Sequence, residues 1–115
     1  MTKPCDWRHE PMPDEKESFF SGRKLLFDEY SKLEKGIKPS DMDDKWFVYT
    51  INESIFFHRS WSGHCIFVVK VERENNEFFL GDVIANRKPD QFGNSEIEVK
   101  KEMFEKLVDL VIRRN

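Results

Sequence analysis

The densest run of reactive side chains is His58-Arg59-Ser60-Trp61-Ser62-Gly63-His64-Cys65. Successive residues of a strand face opposite ways, so Phe57, Arg59 and Trp61 share one face and Phe56, His58 and Ser60 the other, unless a turn breaks the register after Ser60. A guanidinium is a planar fork for phosphate or carboxylate, and a neighbouring indole is a surface on which a flat ring stacks. On an exposed concave face Arg59 and Trp61 would suit a nucleotide-like anion, with His58, Ser60 and Ser62 as further polar groups. The competing reading makes Trp61 a cap on the core and pairs Arg59 with a glutamate.

A second polar group, Asn86-Arg87-Lys88-Pro89-Asp90-Gln91, offers another guanidinium. If it lies near the Trp61 turn, Arg59 and Arg87 converge on one anion, with Asn86 beside them. Otherwise Asn86 and Asp90 merely cap and turn a connection between strand and helix. Other chemistry has less support. Cys5, His9, His58, His64 and Cys65 include no C-x2-C or H-x3-H pair, and neighbours such as His64 and Cys65 point apart on a strand, so no metal is expected. Cys65 heads the apolar run Ile66-Phe67-Val68-Val69 and reads as a buried thiol rather than a nucleophile. Ser60 or Ser62 near His58 leaves a serine hydrolase open, without the nucleophile elbow such enzymes use. There is no glycine-rich phosphate loop, and no cofactor is expected.

These residues need a scaffold. Lys45–Ile51 is rich in β-formers, Asn52-Glu53 is a two-residue turn, and Ser54–Ser60 follows as its hairpin partner. Trp61-Ser62-Gly63 turns the chain into 64–73, and 74–77 turns it again into 78–86. Connections this short allow only an antiparallel meander of four strands. A meander places the end of its second strand and the end of its fourth at the same edge, which brings the two polar groups into one neighbourhood. Leu26, Tyr30 and Leu33, with Phe27 beside them, predict a helix over 22–34 ended by Gly36. Ser95 and Glu98 have the form of a capping box before a helix over 95–114, whose stripe is Ile97, Phe104, Leu107, Val108 and Val111. The expected fold is therefore α+β: a four-stranded antiparallel sheet with both helices on one face. Residues 1–20, with three prolines and no period, read as an irregular arm, and 21–115 as one domain.

Composition narrows the partners. With 115 residues the chain is one domain's worth, and a net charge of −3 gives no electrostatic support for binding a nucleic-acid backbone. Two cysteines are too few for a disulfide framework. No window approaches the roughly 20 apolar residues of a membrane span, and no apolar stretch follows the first lysine, so the cytoplasm is the expected compartment. Residues 1–44 carry 11 acidic against 8 basic side chains, a surface that could dock on a basic protein.

Lys45-Trp46-Phe47-Val48-Tyr49, the segment from Ile55 through Phe67, and Asn86-Arg87 together resemble a poorly characterised bacterial family. Its members carry an FHRSWTG-x-C-IY segment and a later N-R, and sometimes occur beside ADP-ribosylglycohydrolase or macrodomain-like modules. The resemblance spans about residues 45–92, with Ser62 replacing a threonine and keeping its hydroxyl. It implies a link to ADP-ribose or NAD chemistry and supplies no catalytic residue. Three readings follow: a small module binding a nucleotide or ADP-ribose-like anion, a protein-interaction or inhibitor domain with an acidic surface, and a hydrolase or transferase with His58 or His64 as base.

Overall fold

The computed structural model describes residues 1–41, 43–93 and 95–115. In chain order its elements are β1 (Lys16–Phe20), β2 (Lys24–Leu25), α1 (Phe27–Lys35), β3 (Trp46–Ile51), β4 (Ser54–Arg59), β5 (Cys65–Glu74), β6 (Glu77–Asn86) and α2 (Ile97–Arg114). Two of the tight turns explain the meander. Asn52 and Glu53 sit at φ 49° and 66°, and Asn75 and Asn76 at 52° and 65°, so both central residues of each hairpin loop have the positive φ that matches strand twist.

The meander β3–β6 is present, but the sheet has six strands, in the order β1-β6-β5-β4-β3 with β2 also on β6. All pairings between these strands are antiparallel. The two added strands cover the edge of β6 that the meander alone leaves open. Lys16 to Phe20 pair with Asn86 to Asp82, and Lys24 and Leu25 with Phe79 and Phe78. Residues 16–20, expected in an irregular arm, are thus a sheet edge, stabilised by hydrogen bonds to a distant segment rather than by a local pattern.

The first helix starts later than its apolar spacing suggests. Gly22 N–H donates to the Leu80 carbonyl and Leu80 N–H to that of Arg23, holding this stretch on β6. Glu29 Oε1 then accepts the Leu26 N–H at 2.9 Å and starts α1. Only Leu33 of the expected stripe is buried, Tyr30 stacks on Phe78 at 4.6 Å, and Leu26 and Phe27 are exposed. Gly36 ends the helix, as expected, at φ 71°. In α2 the N-cap is Glu96 rather than Ser95, and no side chain caps it. The stripe Phe104, Leu107, Val108 and Val111 is buried as its spacing predicts. Phe104 makes edge contacts with Phe19, Phe57 and Phe67 at 5.9, 5.8 and 5.4 Å, joining α2 to three strands.

Both helices contribute to a single apolar core. Lys100 lies inside it, 1% exposed, with Nζ 2.7 Å from Glu17 Oε2 and 3.0 Å from the Asn86 carbonyl oxygen. Other N-terminal carboxylates are taken up in the same way. Glu10 Oε2 lies 2.9 Å from His64 Nδ1 and Asp44 pairs with Arg114 at 3.1 Å, so Glu17 and Asp44 at least offset part of the acidic excess of residues 1–44 within the fold. Among the described residues no helix is long and apolar enough to cross a membrane.

Candidate functional site

The Trp61 turn is closed by its own backbone. Arg59 N–H donates to the His64 carbonyl at 3.0 Å, Gly63 N–H to that of Arg59 at 2.8 Å, and Ser60 N–H to that of Lys45 at 2.9 Å. Gly63, at φ 80°, has an open Cβ position only 3.2 Å from His9 Cα, so the N-terminal arm packs directly on the bend. Ser60 Oγ donates to the Asp44 carbonyl and Ser62 Oγ accepts the His64 N–H at 3.2 Å. With its neighbours held this way, Trp61 is turned outward and is 61% exposed, so it does not cap the core.

The loop after β6 is folded onto the same place, and Asn86 is the staple. Its Oδ1 accepts Lys88 N–H at 2.7 Å, while Nδ2 donates to the Cys65 carbonyl and to Gln91 Oε1, both at 2.8 Å. Gln91, Phe92 and Gly93 all donate backbone N–H groups to the Lys88 carbonyl, and Phe92 anchors on Phe67 at 5.6 Å. The Trp61 turn and this loop therefore face each other across a water-accessible hollow of about 460 Å³, lined by Lys45, Arg59, Trp61, Ser62, His64, Asp90 and Gln91. Small-molecule sites span roughly 300–1,000 Å³.

The seven residues singled out by sequence divide. Arg59, Trp61 and Ser62 line the hollow. Ser60 lies behind Trp61, lining an adjoining hollow with Trp7, Arg8 and Asp41. Arg87 is not among the lining residues; its Nε lies 3.7 Å from Glu17 Oε2 on β1, so it belongs to the Lys100 cluster rather than to an anion shared with Arg59. Asn86 is fully buried and positions the loop from beneath. Arg59 pairs with no glutamate among the described residues, and its Cζ lies 4.7 Å from the Trp46 ring centroid, across the β3–β4 register. Lys45 likewise forms no ion pair among the described residues.

His58 is on the opposite face of the sheet and 1% exposed. Nδ1 lies 3.1 Å from the Gly63 carbonyl, an obligate acceptor, so Nδ1 carries the proton and Nε2 accepts from the Tyr49 hydroxyl at 3.1 Å. Burial holds its pKa down at about 4, so the ring is neutral. Burial likewise pushes the Tyr49 hydroxyl and the Cys65 thiol up to about 12 each. A cavity of about 310 Å³ beside them is roofed by His9, Glu10, Pro11 and Met12 of the arm. All three groups are held in uncharged forms, which suits a buried hydrogen-bonded cluster better than nucleophilic chemistry.

Four lining residues lie outside the seven: His64, read as a candidate base, Asp90 and Gln91, which belong to the second polar group, and Lys45, for which the sequence suggests no role at the site. A two-residue turn at 52–53 pairs 46 with 59 and sets Lys45 opposite Ser60, which alternation places on the other face from Arg59, so the register does not foretell that Lys45, one residue before β3, lines the hollow. Among the described residues no group of three or more His, Cys, Asp or Glu is arranged to hold a metal ion. Comparison with protein-family models, curated proteins and solved structures finds no match to this chain.

Proposed function

We propose that this chain is a small binding module that holds an anionic, nucleotide-like ligand in the Trp61 hollow. The observation that supports the reading most is that Lys45 and Arg59, two cations without ion-pair partners among the described residues, open with an outward indole onto one concavity. Cations already satisfied by carboxylates offer an anion little; these two do not carry that competition. The Trp46 ring, 4.7 Å from Arg59 Cζ, restrains the guanidinium, so less side-chain freedom is lost when an anion arrives. Asp90 adds an acceptor for ligand hydroxyls, and Gln91, whose Oε1 is occupied by Asn86, leaves its amide N–H groups as donors. The bacterial family resembled in residues 45–92 and its ADP-ribose-related neighbours give the same ligand class.

The test is thermal shift and calorimetry with ADP-ribose, NAD, ADP and AMP. Saturating ligand at about 100 times Kd raises stability by about 2.7 kcal/mol through mass action. Lys45→Met and Arg59→Gln should abolish the shift while leaving the unliganded melting temperature within a few degrees. No shift with any of these ligands refutes the reading.

A further inference from the structure

The Trp61 indole borders two hollows of different chemistry. The first, with Lys45 and Arg59, is cationic. The second, about 390 Å³, is lined by Trp7, Arg8, Asp41, Ser60 and Trp61, and brings a second indole to the same place. Trp7 is not a loose arm residue: its Nε1–H donates to the Ser60 carbonyl at 2.8 Å, a bond across 53 residues of sequence that fixes the ring. Arg8 Nη2 donates to the Trp61 carbonyl, tying the arm to the tip of the turn. Ser60 contributes little polarity because its hydroxyl is already given to the Asp44 carbonyl. Two indoles, the Asp41 carboxylate and an Arg8 guanidinium already engaged on the Trp61 carbonyl form a place for a flat ring bearing an N–H donor, whereas the first hollow, with Lys45 and Arg59, is a place for an anion.

We propose that the ligand is bipartite and straddles Trp61: an aromatic base lies in the hollow of Trp7 and Trp61, and a phosphate joined to it lies against Lys45 and Arg59. This rests on the proposed function and deepens it, because it excludes inorganic phosphate, pyrophosphate and sugar phosphates as full ligands and makes the N-terminal arm part of the site. The first hollow has the paired cations Lys45 and Arg59 with one indole, and the second adds the Trp7 indole, so the two cations and the two indoles meet only across Trp61. A base stacked on an aromatic side chain gains about 1–3 kcal/mol, so the base should add roughly 5- to 150-fold to the affinity of the phosphate alone.

Calorimetry on the full chain with ADP, pyrophosphate and ribose 5-phosphate measures that factor. ADP should bind at least about 5-fold tighter than pyrophosphate or ribose 5-phosphate. Trp7→Leu should remove most of the difference while leaving pyrophosphate binding unchanged, and Lys45→Met should weaken both. A second measurement needs no variant: in a ¹⁵N–¹H spectrum the indole N–H signals of Trp7 and Trp61 should shift on adding ADP, and that of Trp7 should stay in place on adding pyrophosphate. Pyrophosphate binding as tightly as ADP, with the Trp7 signal unmoved by either, overturns the bipartite site and leaves the anion site standing. Absence of binding by pyrophosphate and ADP alike overturns both.

Discussion

Acidification should destabilise the wild-type protein more than a His58→Gln variant, by an amount the burial of His58 sets. The neutral ring is held between the Gly63 carbonyl and the Tyr49 hydroxyl, and its pKa is depressed from 6.5 to about 4. Between those values the unfolded chain binds a proton that the folded one refuses, so stability rises with pH across the window and is flat above it. Integrating the linkage from about pH 7.5 down to about pH 4.5 gives a loss of about 2–3 kcal/mol from this residue. For a domain whose total stability is about 5–15 kcal/mol, that is a large share. Carboxylates titrate in the same range, which is why the variant is needed: the substituted amide keeps an acceptor for Tyr49 but takes up no proton. Urea unfolding of both proteins at the two pH values should show the wild type losing about 2–3 kcal/mol more than the variant. Parallel losses, or an NMR titration placing the His58 midpoint near 6.5, would refute the assignment of a buried, Nδ1-protonated ring.

The Lys100–Glu17 pair should respond asymmetrically. Glu17→Gln leaves a fully buried ammonium with neutral acceptors, the Asn86 carbonyl among them, and no compensating charge, and should cost about 3–5 kcal/mol, whereas Lys100→Met leaves a partly exposed carboxylate still near Arg87 and should cost less than half of that. The double variant should be more stable than Glu17→Gln alone, a rescue visible in the same urea titrations. Gly36→Ala should be severely destabilising, by more than about 2 kcal/mol, because φ is 71° and a Cβ would lie 2.0 Å from the Val48 carbonyl oxygen; a thermal melt within a degree or two of wild type would contradict it. Exposed Cys5 should react with a thiol reagent in the native protein, while buried Cys65, its thiol pushed up to about 12, should react only after denaturation. Counting modified cysteines by mass spectrometry before and after urea decides this.

The parts of the fold that local chemistry encodes are readable from the chain. Asn52 and the Asn75-Asn76 pair mark hairpins because asparagine tolerates positive φ, which Glu53 also adopts in the first loop, and the Phe104-Leu107-Val108-Val111 stripe marks α2 because its spacing is helical. β1 and β2 are not readable, since Lys16–Phe20 and Lys24–Leu25 are strands only by virtue of β6's open edge. The same distinction runs through the candidate site. Arg59, Trp61 and Ser62 belong to one bend and are visible together, whereas Trp7 is legible only as an apolar residue that could pin the arm, and its place at the turn depends on long-range bonds, Trp7 to the Ser60 carbonyl and Arg8 to that of Trp61.

Arg87 shows why proximity in topology does not fix the aim of a side chain. The meander does bring the loop after β6 to the Trp61 turn, as its strand ends require. Strand alternation and the β1 edge then decide which charges face the hollow. Glu17 pairs across from Ala85, and its carboxylate attracts both Lys100 and Arg87. An expectation of two guanidiniums on one anion takes no account of β1, and without β1 there is no Glu17 to draw Arg87 away. The cation that joins Arg59 in the hollow is instead Lys45, one residue before β3, whose carbonyl accepts the Ser60 N–H at 2.9 Å beside the turn. A reversed charge at Glu17 tests this directly: Glu17→Lys should disrupt the Lys100 cluster, lower stability and weaken ligand binding modestly through the loop that Asn86 holds, yet the folded fraction should still bind, because Arg59 and Lys45 lie on the hairpin and not on β1; complete loss of binding by folded protein would contradict this.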